Sequence, residues 1–131
     1  MDKEMAKLQI ETLVHLLHQH VDIVESLNNM SALLARSPGY LGDVERALEQ
    51  LAEVRKSMID TLRILKNGRI EGEDREDLLA LTGYIVEAAC RSERRILDRL
   101  RGRVDVESHI DGVSELESEA KSLMLLLSRG L

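Results

Sequence analysis

A chain of 131 residues, 44% hydrophobic and 32% charged, is long enough for one domain with a real core and too apolar for the disordered class. It has no Phe, no Trp and two Tyr, so its core is aliphatic, a composition that favours helix over sheet. The net charge of −6 argues against non-specific binding to nucleic acid, and the single cysteine, Cys90, excludes an internal disulfide and a cysteine-rich zinc site.

The amino-terminal stretch MDKEMAKLQIETL is charged and periodic, unlike a signal peptide. No apolar run approaches the length of a membrane span, and a cytoplasmic protein is expected. Helical periodicity then runs to residue 35, giving a first helix over 3–35. RSPGYLGD (36–43) carries the only proline and two glycines, and a second helix over 43–66 follows with Asp43 as its N-cap. KNGRIEGED (66–74) is the next break, with Gly68 as a C-cap and Asp74 as the N-cap of a third helix over 75–101. RGRVD (101–105) closes that helix, and Asp105 opens a fourth over 105–129. Short connections between sequential helices predict an all-α, antiparallel up-down-up-down four-helix bundle, a single domain over 1–131.

The seams read as heptads. Helix one offers Leu13, Leu17, His20, Val24, Leu27 and Leu34, and helix two offers Val44, Leu48, Leu51, Arg55, Met58, Leu62 and Leu65. Helix three offers Leu78, Leu81, Ile85, Ala89, Ser92, Ile96 and Leu100, and helix four Val106, Ile110, Val113, Glu117, Ala120, Met124 and Leu127. Three charged or ionisable residues interrupt these seams: His20, Arg55 and Glu117. At a rise of about 1.5 Å per residue they fall within roughly a turn of one another, so a polar layer of His20, Arg55 and Glu117, joined by Ser92, is expected across the middle of the core. A buried Arg needs an acid, and Glu117 supplies it. The plain role of such a layer is to fix register among leucine-rich seams; the sharper one is a small-ligand or anion site.

HLLHQH (15–20) holds three of the four histidines. At about 100° per residue, His20 falls on the apolar arc while His15 and His18 fall on the opposite side beside Glu11 and Asp22. The outer pair offers weak metal affinity at most, and its plainer reading is a solvated face; no cofactor or resident metal is expected.

RSERRILDRLRGR (91–103) carries Arg91, Arg94, Arg95, Arg99, Arg101 and Arg103, and Arg36 is expected at the same pole. This basic pole on an acidic chain suits an acidic partner, a phosphorylated ligand or RNA; without it, compensation of the helix dipole explains the arginines. No aromatic residue interleaves with them to stack on bases. Arg103 and His109 frame RVDVESH, which resembles the Arg-x(4–6)-His motif of HEPN-domain ribonucleases. The resemblance implies RNA cleavage at a homodimer cleft with Arg103 and His109 as the active pair. Gly102 and Asp105, however, predict a helix break around the arginine, where that family carries the motif on a helix.

The strongest functional signal is excess apolar surface. The apolar arc of helix one spans about 200°, wider than the ~100° stripe one core needs. Ile10, Val14 and Val21 flank its seam, and LMLLL (123–127) covers nearly the whole circumference of helix four. With helices one and four adjacent, Ile10, Val14, Val21, Leu123, Leu125 and Leu126 are expected to form one interface. The reading is a non-enzymatic interaction or assembly module that self-associates as a dimer through helices one and four, or docks a partner protein. A HEPN-like ribonuclease and a small-ligand-sensing bundle are the alternatives.

Overall fold

A computed structural model describes residues 1–129. The chain is all-α. Helix α1 (Lys3–Leu34) begins where the Asp2 side chain accepts a hydrogen bond from the Met5 amide at 2.8 Å, satisfying one orphan donor of the first turn. Its buried residues, from Ala6 through Leu13, His20 and Leu27 to Leu34, recur at helical spacing. Pro38 opens a 3-10 turn (Pro38–Tyr40) that leads directly into α2 (Leu41–Lys66). Helix α2 therefore starts two residues before Asp43, which lies inside the first turn, pairs with Arg46 and favours the helix dipole from there.

The expected third helix is one rod in three parts: α3 (Gly72–Tyr84), a π-helical turn (Ile85–Ala89) and α4 (Cys90–Leu100). Right-handed helical dihedrals at Tyr84 and Cys90 keep the rod continuous. The chain then reverses at Gly102, whose φ of 87° suits a residue without Cβ. Asp105 accepts a hydrogen bond from the Glu107 amide at 3.2 Å at the entry to α5 (Glu107–Arg129).

Helix α1 packs against α2 and against the α3–α4 rod, and α5 packs against the same two. Among the described residues, α1 and α5 make no close backbone approach, and neither do α2 and the rod. The first and last helices thus stand at opposite corners, and the neighbour relation expected of them is corrected. The cause lies in the segment from Asn67 to Glu71, which carries the chain across the diagonal from α2 to α3. One end of the molecule gathers the start of α1 with the start of α3, and the end of α2 with the end of α5. The Met1 side chain covers Gly68 at this end.

The core is aliphatic as composition requires, with Leu13, Leu27, Leu51, Met58, Leu62, Leu78, Ile96 and Leu116 fully buried. Every seam residue named for α1 and α2 is buried. In α5 the inward set is Val113, Leu116, Ala120, Leu123 and Leu127. This is the other phase of the heptad, chosen because it buries Leu116 and Leu123 in place of Glu117 and Met124. No helix among the described residues is long and apolar enough to cross a membrane.

Candidate functional site: a buried charge layer

Glu93 on α4 is wholly buried, and it is the acid of the polar layer. Its Oε1 lies 2.8 Å from His20 Nε2 on α1, and its Oε2 pairs with Arg55 on α2. With Glu93 accepting at both oxygens, Nε2 is the donating nitrogen of His20. His20 is 1% and Arg55 5% exposed, so all three groups are removed from water together.

Arg55 reaches Glu93 across the diagonal of the core, and α5 makes room for it at Gly112. A Cβ at that position would lie 2.4 Å from Arg55 Nε and 2.7 Å from its Cζ. The layer therefore draws a side chain from α1, α2 and α4 and a missing side chain from α5. Gly112 sits in a helix interior, where glycine costs about 1 kcal/mol relative to alanine, and the passage of the guanidinium accounts for it.

Of the four residues expected in the layer, His20 and Arg55 are buried at Glu93, while Ser92 and Glu117 lie outside it. Ser92 is exposed, and Glu117 lies at the edge of the core. The π-helical turn explains the first. It inserts one residue into the α3–α4 rod and so rotates everything after it by about 100° relative to an unbroken α-helix. The seam position that heptad counting assigned to residue 92 passes to residue 93. Glu117 follows from the phase of α5 and meets Arg94, with Nη1 2.7 Å from its Oε2, and Lys121. The Arg94 hydrogen bond holds the Glu117 carboxyl below its ordinary value, and the same bond raises Arg94.

Cys90 and His109 lie nearby. Burial, reinforced by Glu93, pushes the Cys90 thiol up to about 12, so it is unreactive near neutrality. His109 is half-buried in the first turn of α5, and its Nδ1 has no hydrogen-bond partner among the described residues. Burial, and then the charge of Arg55, lower its pKa from the usual value of 6.5. The folded state thus binds fewer protons at His109 than the unfolded state does. Stability must fall as pH drops through 6.5 toward that depressed value. Replacing His109 with Gln is expected to flatten urea-derived stability over this acid window while leaving it little changed at pH 8. A wild-type slope retained by the variant would contradict the assignment.

Arg103 lies in the turn after α4 and is exposed, so RVDVESH is divided between a turn and the start of α5. His15 and His18 are both exposed, and no group of three potential metal ligands comes together among the described residues. The basic pole is partly neutralised: Arg91 pairs with Glu87, Arg94 with Glu117, and Arg101 with Asp98 and Glu107. Arg99 donates to Asn28 Oδ1 at 2.8 Å, while Arg36, Arg95 and Arg103 are exposed without an acidic partner among the described residues. Of the six residues expected at an interface, Ile10 and Leu123 are buried within the chain. Val14 and Val21 are half-buried, and Leu125 and Leu126 are 57% and 46% exposed. The pair of buried residues and the diagonal placement of α1 and α5 together rule out the single merged patch.

No protein-family model, no curated protein and no solved structure matches this chain.

Proposed function

We propose that the chain is a non-enzymatic assembly module in the form of an up-down-up-down, antiparallel four-helix bundle that self-associates as a dimer. The alternating direction is supported by side-chain pairs. His20 with Glu93 and Asn28 with Arg99 ascend together on α1 and α4, while Arg63 of α2 meets Glu115 and Glu119 of α5. The observation that carries the assembly reading is where the outward apolar residues lie. Met5 and Leu8 on α1, Ile64 on α2, and Leu125 and Leu126 on α5 are all between 44% and 57% exposed. All five, with Met1, belong to the end of the molecule that holds the start of α1 and the ends of α2 and α5, while Leu33 and Leu41 at the opposite end and Tyr84 midway are the other large exposed apolar side chains among the described residues. Apolar surface gathered at one pole is a usual mark of an interface, and two copies meeting through the same pole would form a closed two-fold pair.

Sedimentation of the purified protein tests this reading. A dimer at micromolar concentration is expected, and the Leu125→Asp, Leu126→Asp double variant should sediment as a folded monomer. A wild-type monomer under the same conditions would remove the proposal.

A further inference from the structure

A groove runs along the seam between α1 and the α3–α4 rod, and its two halves differ in chemistry. The mainly apolar half, about 300 Å³, is walled by Val14, Leu17, Val21, Leu81 and Tyr84, with His18 as its one ionisable side chain. The polar half, about 270 Å³, shares Val21 and Tyr84 with the first, so the two adjoin at these side chains. Ser92, Arg95, Arg99, Asn28 and Glu25 line it, and the buried His20 stands at its floor beside Ala89 of the π-helical turn. From the level of Val14 to that of Asn28 the groove spans about 20 Å of helix rise.

From this arrangement we infer that the groove binds an amphiphilic organic anion, a single apolar chain ending in a carboxylate. Three observations converge on that class. The apolar half leaves Tyr84 44% exposed although its neighbours Val14, Val21 and Leu81 are half-buried, so a chain laid there removes apolar surface from water. The polar half sets two guanidiniums against one carboxylate, that of Glu25, and Arg95 has no acidic partner among the described residues. Arg99 is anchored by Asn28, which holds it over the groove with donors to spare for an incoming oxygen pair. The floor is held because Glu93 grips His20 from behind, and Ala89 of the π-helical turn, a feature frequent at functional sites, lines the polar half beside it. The size of the joined groove falls within the ordinary range for small-molecule sites. A chain with an anionic head fits both halves at once; a cationic head meets Arg95 and Arg99.

Tyr84 provides the readout. The chain has two tyrosines and no tryptophan, so in a Tyr40→Phe background all tyrosine emission comes from Tyr84. Titration of this variant with decanoate, below the concentration at which it forms micelles, is expected to change that emission saturably. Inorganic phosphate and acetate alone should leave it unchanged. The Arg95→Glu, Arg99→Glu double variant, altered only at exposed positions, should bind decanoate at least about tenfold more weakly, the effect expected for losing a charge-assisted pair. Decyltrimethylammonium serves as the opposite-charge control. The inference is overturned by an emission that decanoate does not change, by equal affinity in the double variant, or by equal binding of the cationic amphiphile.

Discussion

Replacing Glu93 with leucine is expected to cost about 3–5 kcal/mol of folding stability, measured by urea denaturation at pH 7. The loss comes less from the missing attraction than from what remains, since Arg55 and His20 are left in a dry core without an acceptor. Truncating all three members together should have the opposite sense. In the His20→Leu, Arg55→Met, Glu93→Leu variant no buried charge is stranded, and stability at or above wild type by about 1–4 kcal/mol is expected. If Glu93→Leu alone proved neutral, the layer would not be dry, and the structural account of it would fail.

The second large effect is at Gly112. In an open helix position, Gly→Ala stabilises by roughly 0.5–1 kcal/mol. Gly83, a helical glycine of α3 with open space where its Cβ would lie, should behave that way. At Gly112 the same substitution drives a methyl group into the Arg55 guanidinium and lifts it from Glu93. A net loss of about 1–3 kcal/mol is expected, the usual range for overpacking. Combined with Arg55→Met, the Gly112→Ala change should regain most of that loss, because the methyl group then meets a flexible apolar side chain. Equal effects of Gly→Ala at residues 83 and 112 would show that Arg55 does not pass over α5.

These two results bear on how the sequence encodes the core. Heptad phase alone identified the buried faces of α1 and α2, including His20 and Arg55, because both helices are regular along their length. It lost the acid for two separate physical reasons. A one-residue π insertion at Ile85–Ala89 moves the seam from Ser92 to Glu93, and nothing in local propensity announces that insertion. In α5 two heptad phases compete, and counting from Val113 takes the one with Glu117 and Met124, although burial of Leu116 and Leu123 favours the other. One signal was available: Gly112 interrupts an otherwise strong helix pattern, and an interior glycine marks a close approach. The neighbour order was not legible, because a five-residue connection spans an edge or a diagonal equally well. That difference buried Ile10 and Leu123 and separated α1 from α5.

The same geometry gives the buried layer a structural role that heptads could not supply. Leucine-rich seams pack in several registers, whereas Glu93 can satisfy Arg55 and His20 only at one level and in one neighbour order. A layer of this kind sacrifices some stability for uniqueness. The triple apolar variant should therefore be at least as stable as wild type, yet broader in its NMR spectrum.

The most direct test of this account is a pair of double-mutant cycles in urea denaturation, one between His20 and Glu93 and one between His20 and Glu117, each residue truncated to alanine. The structure predicts a coupling of about 1 kcal/mol or more between His20 and Glu93, and none beyond about 0.5 kcal/mol between His20 and Glu117. A coupling that falls on Glu117 would mean that α5 packs in its other heptad phase, with Glu117 rather than Leu116 turned inward, and would contradict Glu93 as the acid of the layer.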